Sequence, residues 1–242
     1  SSLTYPNSKV RFHTIKNILN NIITLVDKYG VDAIGFDDEL TAVSDERIVD
    51  LCRGLQSLNK KLTYRISSRV DIILRLKDST LQLLRDTGFV AVGYGIESGS
   101  QRLLDFMGKN ITIKQVLDAD KRLTDFGFIK SYNFMIGLPT ETLEEMKMTL
   151  RLLVKIARNS KYCQYPCSQI PSYVPLPDTE LFFIAQKHGL KPPENLEGWI
   201  YLDSRYVEKT RQRIRPWLTD ETVTFAANAN KMVAEISTHF TG

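Results

Sequence analysis

The chain has 242 residues, 43% of them hydrophobic and 25% charged, which is the composition of a folded globular protein rather than a disordered or fibrous one. Its 32 Lys and Arg only slightly outnumber its 28 Asp and Glu, and neither sign forms a block, so the charge pattern indicates no nucleic-acid arm and no membrane patch. Because no apolar stretch could span a bilayer and no signal-peptide pattern is visible, we expect a cytoplasmic protein with reduced cysteines.

Apolar periodicity and turn residues predict strands that alternate with helices in chain order. The predicted helices span 14–29, 44–58, 79–87, 143–157, 180–188 and 220–238, with further helical segments before 126. The predicted strands span 31–36, 62–66, 89–94, 128–136 and 168–174. Such alternation requires parallel strands joined by helical crossovers, which means a doubly wound sheet or a barrel. We expect one barrel over 1–190 and a mainly helical C-terminal extension, 191–242, packing on it.

Each conspicuous polar or glycine-rich segment directly follows a predicted strand. In chain order these segments are DDE, SSR, GIESGS, GLPTET and PLPDT. Parallel α/β folds place their active sites at the carboxyl ends of the strands. Five such loops on one side of the sheet therefore predict a single shared cavity.

Four segments together resemble the radical S-adenosylmethionine superfamily. They are IGFDDELT at 34–41, GYGIESGSQRLLDFMGK at 93–109, FMIGLPTET at 134–142 and PLPDTEL at 175–181. The likeness covers about residues 10–190 and is strongest to the branch of cobalamin-dependent radical enzymes, methylthiotransferases and oxygen-independent coproporphyrinogen oxidase. It implies an α/β fold, a partial parallel (β/α)6 TIM-like barrel.

The resemblance also implies S-adenosylmethionine and a [4Fe–4S] cluster held by a CxxxCxxC loop after the first barrel strand. Since this loop is not in the sequence, we expect the first strand and the cluster cysteines upstream of Ser1, and no metal ligand within the chain. Cys163 and Cys167 read as unrelated thiols and Cys52 as a core residue. A reductant such as a flavodoxin or ferredoxin is implied as a partner, and cobalamin is a further candidate cofactor from an upstream domain.

Cofactor roles follow from the resemblance for two groups of residues near the first predicted strands. Asp37, Asp38 and Glu39 stand where the family binds the methionine amino group, although adjacent acids also complement a helix dipole or bind a divalent ion. Arg65 and Ser67 stand where the family reaches the methionine carboxylate or the ribose, and strand alternation points both into the barrel.

Later strand ends supply the remaining expected cofactor ligands. These are Glu97 and Ser98 for the ribose or amino group, Lys109 for the carboxylate, Asn133 for the ribose, and Gly137 and Leu138 for an adenine pocket lined by backbone groups. Each has a plainer interpretation as turn chemistry or a solvated charge.

The resemblance implies reductive cleavage of S-adenosylmethionine to a 5′-deoxyadenosyl radical, for hydrogen abstraction or for methyl or sulfur transfer. The sequence indicates neither a substrate nor a catalytic acid or base. Two alternatives stay open: a metal-dependent barrel enzyme that uses Asp37, Asp38 and Glu97 around a divalent ion, and a non-catalytic binding module that kept the barrel without the cluster.

Overall fold

A computed structural model of the protein describes residues 12–37, 42–158, 169–202 and 214–239. In these ranges a four-stranded parallel sheet, in the order β1-β2-β3-β4, is flanked by helices. The strands are β1 (Ala33–Gly35), β2 (Thr63–Ser68), β3 (Phe89–Glu97) and β4 (Ile129–Phe134). The helices are α1 (Ile15–Tyr29), α2 (Asp45–Ser57), α3 (Val70–Arg75), α4 (Asp78–Thr87), α5 (Gln101–Phe106), α6 (Ile113–Asp125), α7 (Leu143–Arg158), α8 (Glu180–Lys187), a 3-10 turn (Glu197–Leu202) and α9 (Asp220–His239).

Capping residues set the ends of the predicted helices. The Thr14 hydroxyl accepts a hydrogen bond from the third backbone amide of α1, and the Ser44 hydroxyl does the same for α2. Gly30 and Gly88 end α1 and α4 with φ of 64° and 107°, the left-handed conformation that glycine adopts without strain. The helices predicted over 14–29, 44–58 and 79–87 are confirmed.

The two faces of the sheet differ in chemistry because side chains alternate along each strand. One face carries large side chains that pack under the helices and are at most 2% exposed: Tyr64, Ile66, Val92, Tyr94, Tyr132 and Phe134. The opposite face, here called the inner face, carries small or polar residues except at Ile129. Across neighbouring strands they pair as Gly35–Arg65–Ala91–Ile129, Ser67–Gly93–Ser131 and Gly95–Asn133. The core therefore lies under the helices, and the inner face stays open to polar groups.

Beyond the end of β4, a single parallel bridge joins Ile136 to Ser172. The Tyr173 amide donates to the Ile136 carbonyl at 2.7 Å, and the Ile136 amide donates to Pro171 at 3.1 Å. The predicted partial parallel barrel is confirmed. The full strand predicted over 168–174 is reduced to this bridge in its described part, since Pro171 has no N–H to continue a ladder.

Two predicted loops are regular structure instead. The polar SSRVD segment ends β2 and opens α3, whose Ile72 and Ile73 are buried. The start of GIESGS belongs to β3, which continues to Glu97. The first prediction was wrong because a helix of six residues is too short to show a periodic pattern. The second was wrong because glycines usually mark loops.

The C-terminal part contacts the barrel. Val233 of α9 is 1% exposed within the main core, and the Asn230 side chain both accepts from and donates to the Ile170 backbone. Arg215, fully buried, donates to the Tyr173 carbonyl at 2.7 Å. The division at residue 190 stays a prediction. None of the helices in the described ranges is long and apolar enough to cross a membrane.

Candidate cofactor-binding site

Glycines form the floor of the inner face because side chains from neighbouring positions fold across them. A Cβ added at Gly95 would lie 2.3 Å from the Glu97 Oε1 atom, and one added at Gly93 would lie 3.0 Å from the Ser131 Oγ atom. Larger residues there would displace these polar groups. The glycines therefore leave a shallow, hydrogen-bonding surface rather than an apolar one.

The first ion pair on this face joins Arg65 of β2 to Asp37 just beyond β1, at 2.5 Å between Nη2 and Oδ1. Both side chains lie across Gly35, and they are 55% and 79% exposed. So exposed a pair is worth little to stability and either partner is free to exchange for a ligand. The structure thus brings together two of the predicted cofactor ligands, while Asp38 and Glu39 lie outside the described residues.

The second ion pair joins Lys109 to Glu97 at the carboxyl end of β3, at 2.9 Å between Nζ and Oε1. Glu97 is 17% exposed and has a φ of 75°, a strained value for a residue with a side chain. Asn133, exposed on β4, pairs in register with Gly95 beneath the Glu97 carboxylate. Three predicted site residues therefore meet at one strand end.

Hydroxyl groups lie between the two ion pairs. Ser67 of β2 and Ser131 of β4 flank Gly93, and a Cβ at that glycine would lie 3.8 Å and 3.0 Å from their Oγ atoms. Sequence reasoning included Ser67 but missed Ser131. Since Ser131 is two residues before Asn133 on the same strand, alternation along β4 was the signal that could have found it.

Ser98 does not share the inner face. Its side chain is fully buried and lies 3.3 Å from the Thr149 hydroxyl of α7, and its oxygen accepts from the Ser100 amide at 3.1 Å. The expectation that its side chain meets the cofactor is corrected accordingly. As the residue after Glu97, it points to the helix side of the sheet.

Gly137 and Leu138 have their backbone groups occupied within the protein. Both amides donate to Oε2 of Glu141, at 2.5 Å and 3.0 Å. The Gly137 carbonyl accepts from the Trp217 indole at 2.9 Å, and the Leu138 carbonyl accepts from the Glu141 amide at 3.1 Å. Glu141 already takes both amide donors, so an adenine pocket at Gly137 and Leu138, which stays a prediction, would have to use the other backbone groups of the loop. Each of the two carbonyl oxygens keeps a second lone pair that could accept a hydrogen bond from a ligand.

Two carboxylates beside this loop differ in charge state. Burial raises the pKa of Glu141 to about 7, against the pull of the two amides that it accepts. Hydrogen bonds from Arg102 hold the pKa of Glu145 down to about 2. Neither glutamate was predicted as a site residue. The T-x-x-E pattern of Thr142 and Glu145 was a readable helix-capping signal, whereas nothing in the sequence indicates the Arg102 contact.

Metal-binding side chains do not gather in the described part of the chain. No group of three His, Cys, Asp or Glu residues there is placed to hold an ion. Asp37 and Glu97 each carry a cationic partner instead of converging on one point. Cys52, fully buried in α2 as predicted, has a pKa raised by burial and is no cluster ligand. Cys163 and Cys167 lie outside the described residues.

This architecture is a partial parallel barrel whose inner face is polar and glycine-floored near the carboxyl ends of its strands, the place where parallel α/β barrels carry their active sites. The chain matches the sequence profile of the Radical SAM superfamily over residues 4–153. The chain therefore belongs to the radical S-adenosylmethionine superfamily, whose members are enzymes that use S-adenosylmethionine and a [4Fe–4S] cluster.

Individual relatives are distant and longer than this chain. An uncharacterized methyltransferase, PH0819 of Pyrococcus horikoshii, is 27% identical over 99% of this chain and 50% of its own length. The anaerobic magnesium-protoporphyrin IX monomethyl ester cyclase of Rubrivivax gelatinosus is 27% identical over 76% of this chain and 33% of its own. This chain thus spans half or less of these relatives.

Solved structures share the fold. The radical S-adenosylmethionine methyltransferase TsrM from Kitasatospora setae, with cobalamin and a [4Fe–4S] cluster bound, superposes with a TM-score of 0.53 at 14% identity. The match covers 75% of this chain and 36% of TsrM. At that identity, the likeness establishes the barrel alone.

Proposed function

We propose that this chain is the cofactor-binding part of a radical S-adenosylmethionine enzyme, with the cofactor on the inner face. The observation that carries the proposal is the presence of two ion pairs on that face, Arg65–Asp37 and Lys109–Glu97. The methionine end of the cofactor carries one ammonium and one carboxylate. Two opposed cation–carboxylate pairs can exchange partners with such a zwitterion without leaving a charge unpaired.

The proposed roles follow the chemistry of each group. Asp37 accepts from the ammonium, and Arg65 donates to the carboxylate, where its planar fork allows two hydrogen bonds. Glu97 accepts from the ribose hydroxyls or the ammonium while Lys109 neutralises the carboxylate. The hydroxyl and amide groups of Ser67, Ser131 and Asn133 are proposed to line the floor at the ribose. Asp38 and Glu39, which lie outside the described residues, stay proposed acceptors for the ammonium.

The cluster completes the proposal from outside the described residues. Its three thiolate ligands are proposed to precede Ser1, because the thiol of the described ranges, Cys52, is buried in the core. When bound, a [4Fe–4S] cluster supplies the electron that reduces the sulfonium, releasing methionine and a 5′-deoxyadenosyl radical. The residues of the inner face would hold the methionine and ribose ends of the cofactor and so fix its orientation.

Methyl transfer with cobalamin is the more specific form of the proposal. It is supported by the name of the Pyrococcus horikoshii relative and by the cobalamin in the TsrM structure. Hydrogen abstraction and sulfur transfer from an unidentified substrate are the other outcomes of the same chemistry. A flavodoxin or ferredoxin is the proposed reductant.

Equilibrium binding of S-adenosylmethionine to the full-length protein tests the site. Arg65→Met and Lys109→Met should each raise the dissociation constant about ten- to hundredfold, since a hydrogen bond to a charged group contributes roughly 1.5–3 kcal/mol. Lys114→Met is the matched control, because the Lys114 side chain is 83% exposed and pairs with Asp118 of its own helix, α6. Equal affinities in the Lys109 and Lys114 variants would contradict the assigned face.

Binding alone is also expected of a cluster-less binding module. Formation of 5′-deoxyadenosine by the reconstituted full-length protein separates an enzyme from such a module. Turnover that requires an added divalent ion but no S-adenosylmethionine would favour the metal-dependent alternative instead.

A further inference from the structure

The GLPTET loop (137–142) contains a residue in an unfavourable backbone conformation. Thr140 has a φ of 70°, in the left-handed region that a β-branched residue rarely occupies. Its side chain is exposed, so burial does not hold it there. Such a conformation persists only when neighbouring contacts over-determine it.

Arg102 supplies those contacts. Its guanidinium donates to the Thr140 carbonyl at 3.0 Å and to the Thr140 hydroxyl at 3.3 Å. The same guanidinium grips Glu145 with two bonds of 2.7 Å, from Nε to Oε1 and from Nη2 to Oε2. Glu145 in turn accepts from the Thr142 amide at 2.9 Å and from the Ser100 hydroxyl at 2.9 Å. One carboxylate and one guanidinium thus hold the loop at Thr140 and at Thr142.

These contacts join the GLPTET loop to the segment 97–102, here called the ESGSQR segment. The Gly99 amide donates to the Thr149 hydroxyl at 2.9 Å. A Cβ at Gly99 would lie 2.4 Å from the Met148 carbonyl oxygen, so the segment packs directly against the α7 backbone. Glu97, at the start of this segment, has its own strained φ of 75°. Two strained residues therefore flank one shared network.

We propose that Arg102 and Glu145 form a clamp that holds Thr140 in its left-handed conformation and fixes the GLPTET loop to the ESGSQR segment. Both are positioning residues, because their charged groups bind each other and the loop rather than the inner face. The hydrogen bonds from Arg102 lower the pKa of Glu145, so the clamp stays ionised at neutral pH. That the clamp affects cofactor affinity rests on the proposed function; that it holds the loop does not.

Hydrogen–deuterium exchange of the loop amides in the full-length protein tests the clamp without cofactor. Arg102→Lys cannot make the two-pronged contact, so the Thr142 amide, which donates to Glu145 at 2.9 Å, should exchange at least fivefold faster. Adding Thr140→Gly removes the strain, since glycine adopts this φ freely, and should return exchange to within twofold of wild type. Arg151→Lys, an exposed arginine of α7 paired with an exposed acid, is the matched control and should leave exchange unchanged.

Unchanged exchange in Arg102→Lys would overturn the clamp. So would equally fast exchange in Arg102→Lys and in the double variant with Thr140→Gly, because general loosening is not rescued by relieving strain at one residue. If Arg102→Lys does not fold, Glu145→Gln with and without Thr140→Gly gives the same comparison, with the same outcomes for and against.

Affinity for S-adenosylmethionine, measured on the same variants after iron–sulfur reconstitution, separates the two claims. The expected pattern is a loss of at least fivefold in Arg102→Lys and recovery in the double variant. Rescue of exchange with no change in affinity keeps the clamp and removes its link to the cofactor. A wild-type protein that binds no S-adenosylmethionine contradicts the proposed function while leaving the exchange result to decide the clamp.

Discussion

The charge state of Glu141 should make the stability of this protein depend on pH in a defined window. Burial raises its pKa from the ordinary 4.5 to about 7. Its Oε2 atom accepts from two loop amides, and its Oε1 atom is buried with no hydrogen-bond partner in the described ranges. The folded protein therefore retains a proton that the unfolded chain releases above pH 4.5. Stability from this group is full below pH 4.5 and falls as the pH rises to about 7.

A pKa raised from 4.5 to about 7 corresponds to roughly 3 kcal/mol of unfolding free energy, an upper value because water reaches part of the side chain. Glu141→Gln keeps an oxygen for both amides and cannot ionise, so it should lack this fall. The assay is urea unfolding at pH values from 4 to 8. The unfolding free energy of wild type minus that of Glu141→Gln is plotted against pH and should fall between pH 4.5 and 7. A difference that stays flat between pH 4.5 and 7, or that rises, refutes the reasoning.

Three further predictions concern packing, a buried ion pair and the inner face. Gly99→Ala should lower the unfolding free energy by about 3 kcal/mol, through collision with the α7 backbone, whereas Gly127→Ala, at φ 74° in open space, should cost only about 1 kcal/mol in the same denaturation assay. Asp120→Ala removes a carboxylate that accepts from both the fully buried Lys130 amine and the Tyr132 hydroxyl and should cost about 3–5 kcal/mol, part of it recovered when Lys130→Met is added. Asn133→Ala should raise the S-adenosylmethionine dissociation constant about three- to tenfold without changing the melting temperature.

Each of these has an outcome that contradicts it. Equal losses at Gly99 and Gly127 would mean that the loop can move away from α7. No recovery in the Asp120 and Lys130 double variant would mean that the loss is a packing defect rather than an unpaired charge. An unchanged affinity in Asn133→Ala would remove that residue from the site.

Much of the fold was predictable because strong local signals agree with the tertiary structure. In α1, α2 and α4 the apolar periodicity agrees with a capping residue at the end of the helix. The caps are Thr14 and Ser44 at N-termini, and Gly30 and Gly88 at C-termini. The helix α3 was missed because six residues are too few to show a period. The end of β3 was missed because its glycines, which typically mark loops, make room for the Glu97 side chain.

In the candidate site, too, local patterns were predictable and contacts between distant residues were not. Alternation along β2 correctly placed Arg65 and Ser67 on the face opposite the buried side chains. It was not applied to Ser98, which follows Glu97 and so points the other way. The contacts Arg102–Glu145 and Trp217–Gly137 join residues 43 and 80 positions apart. Partners so distant in sequence are set by packing, and no local pattern indicates them.

Formation of 5′-deoxyadenosine tests the central claim most directly. The full-length protein would be reconstituted anaerobically with iron and sulfide, reduced, and incubated with S-adenosylmethionine, with Lys109→Met and Lys114→Met treated in parallel. We expect 5′-deoxyadenosine from wild type and from the Lys114 variant, and at least tenfold less from the Lys109 variant at limiting cofactor. A reconstituted wild-type protein that carries a cluster, binds S-adenosylmethionine and releases no 5′-deoxyadenosine would contradict the central claim.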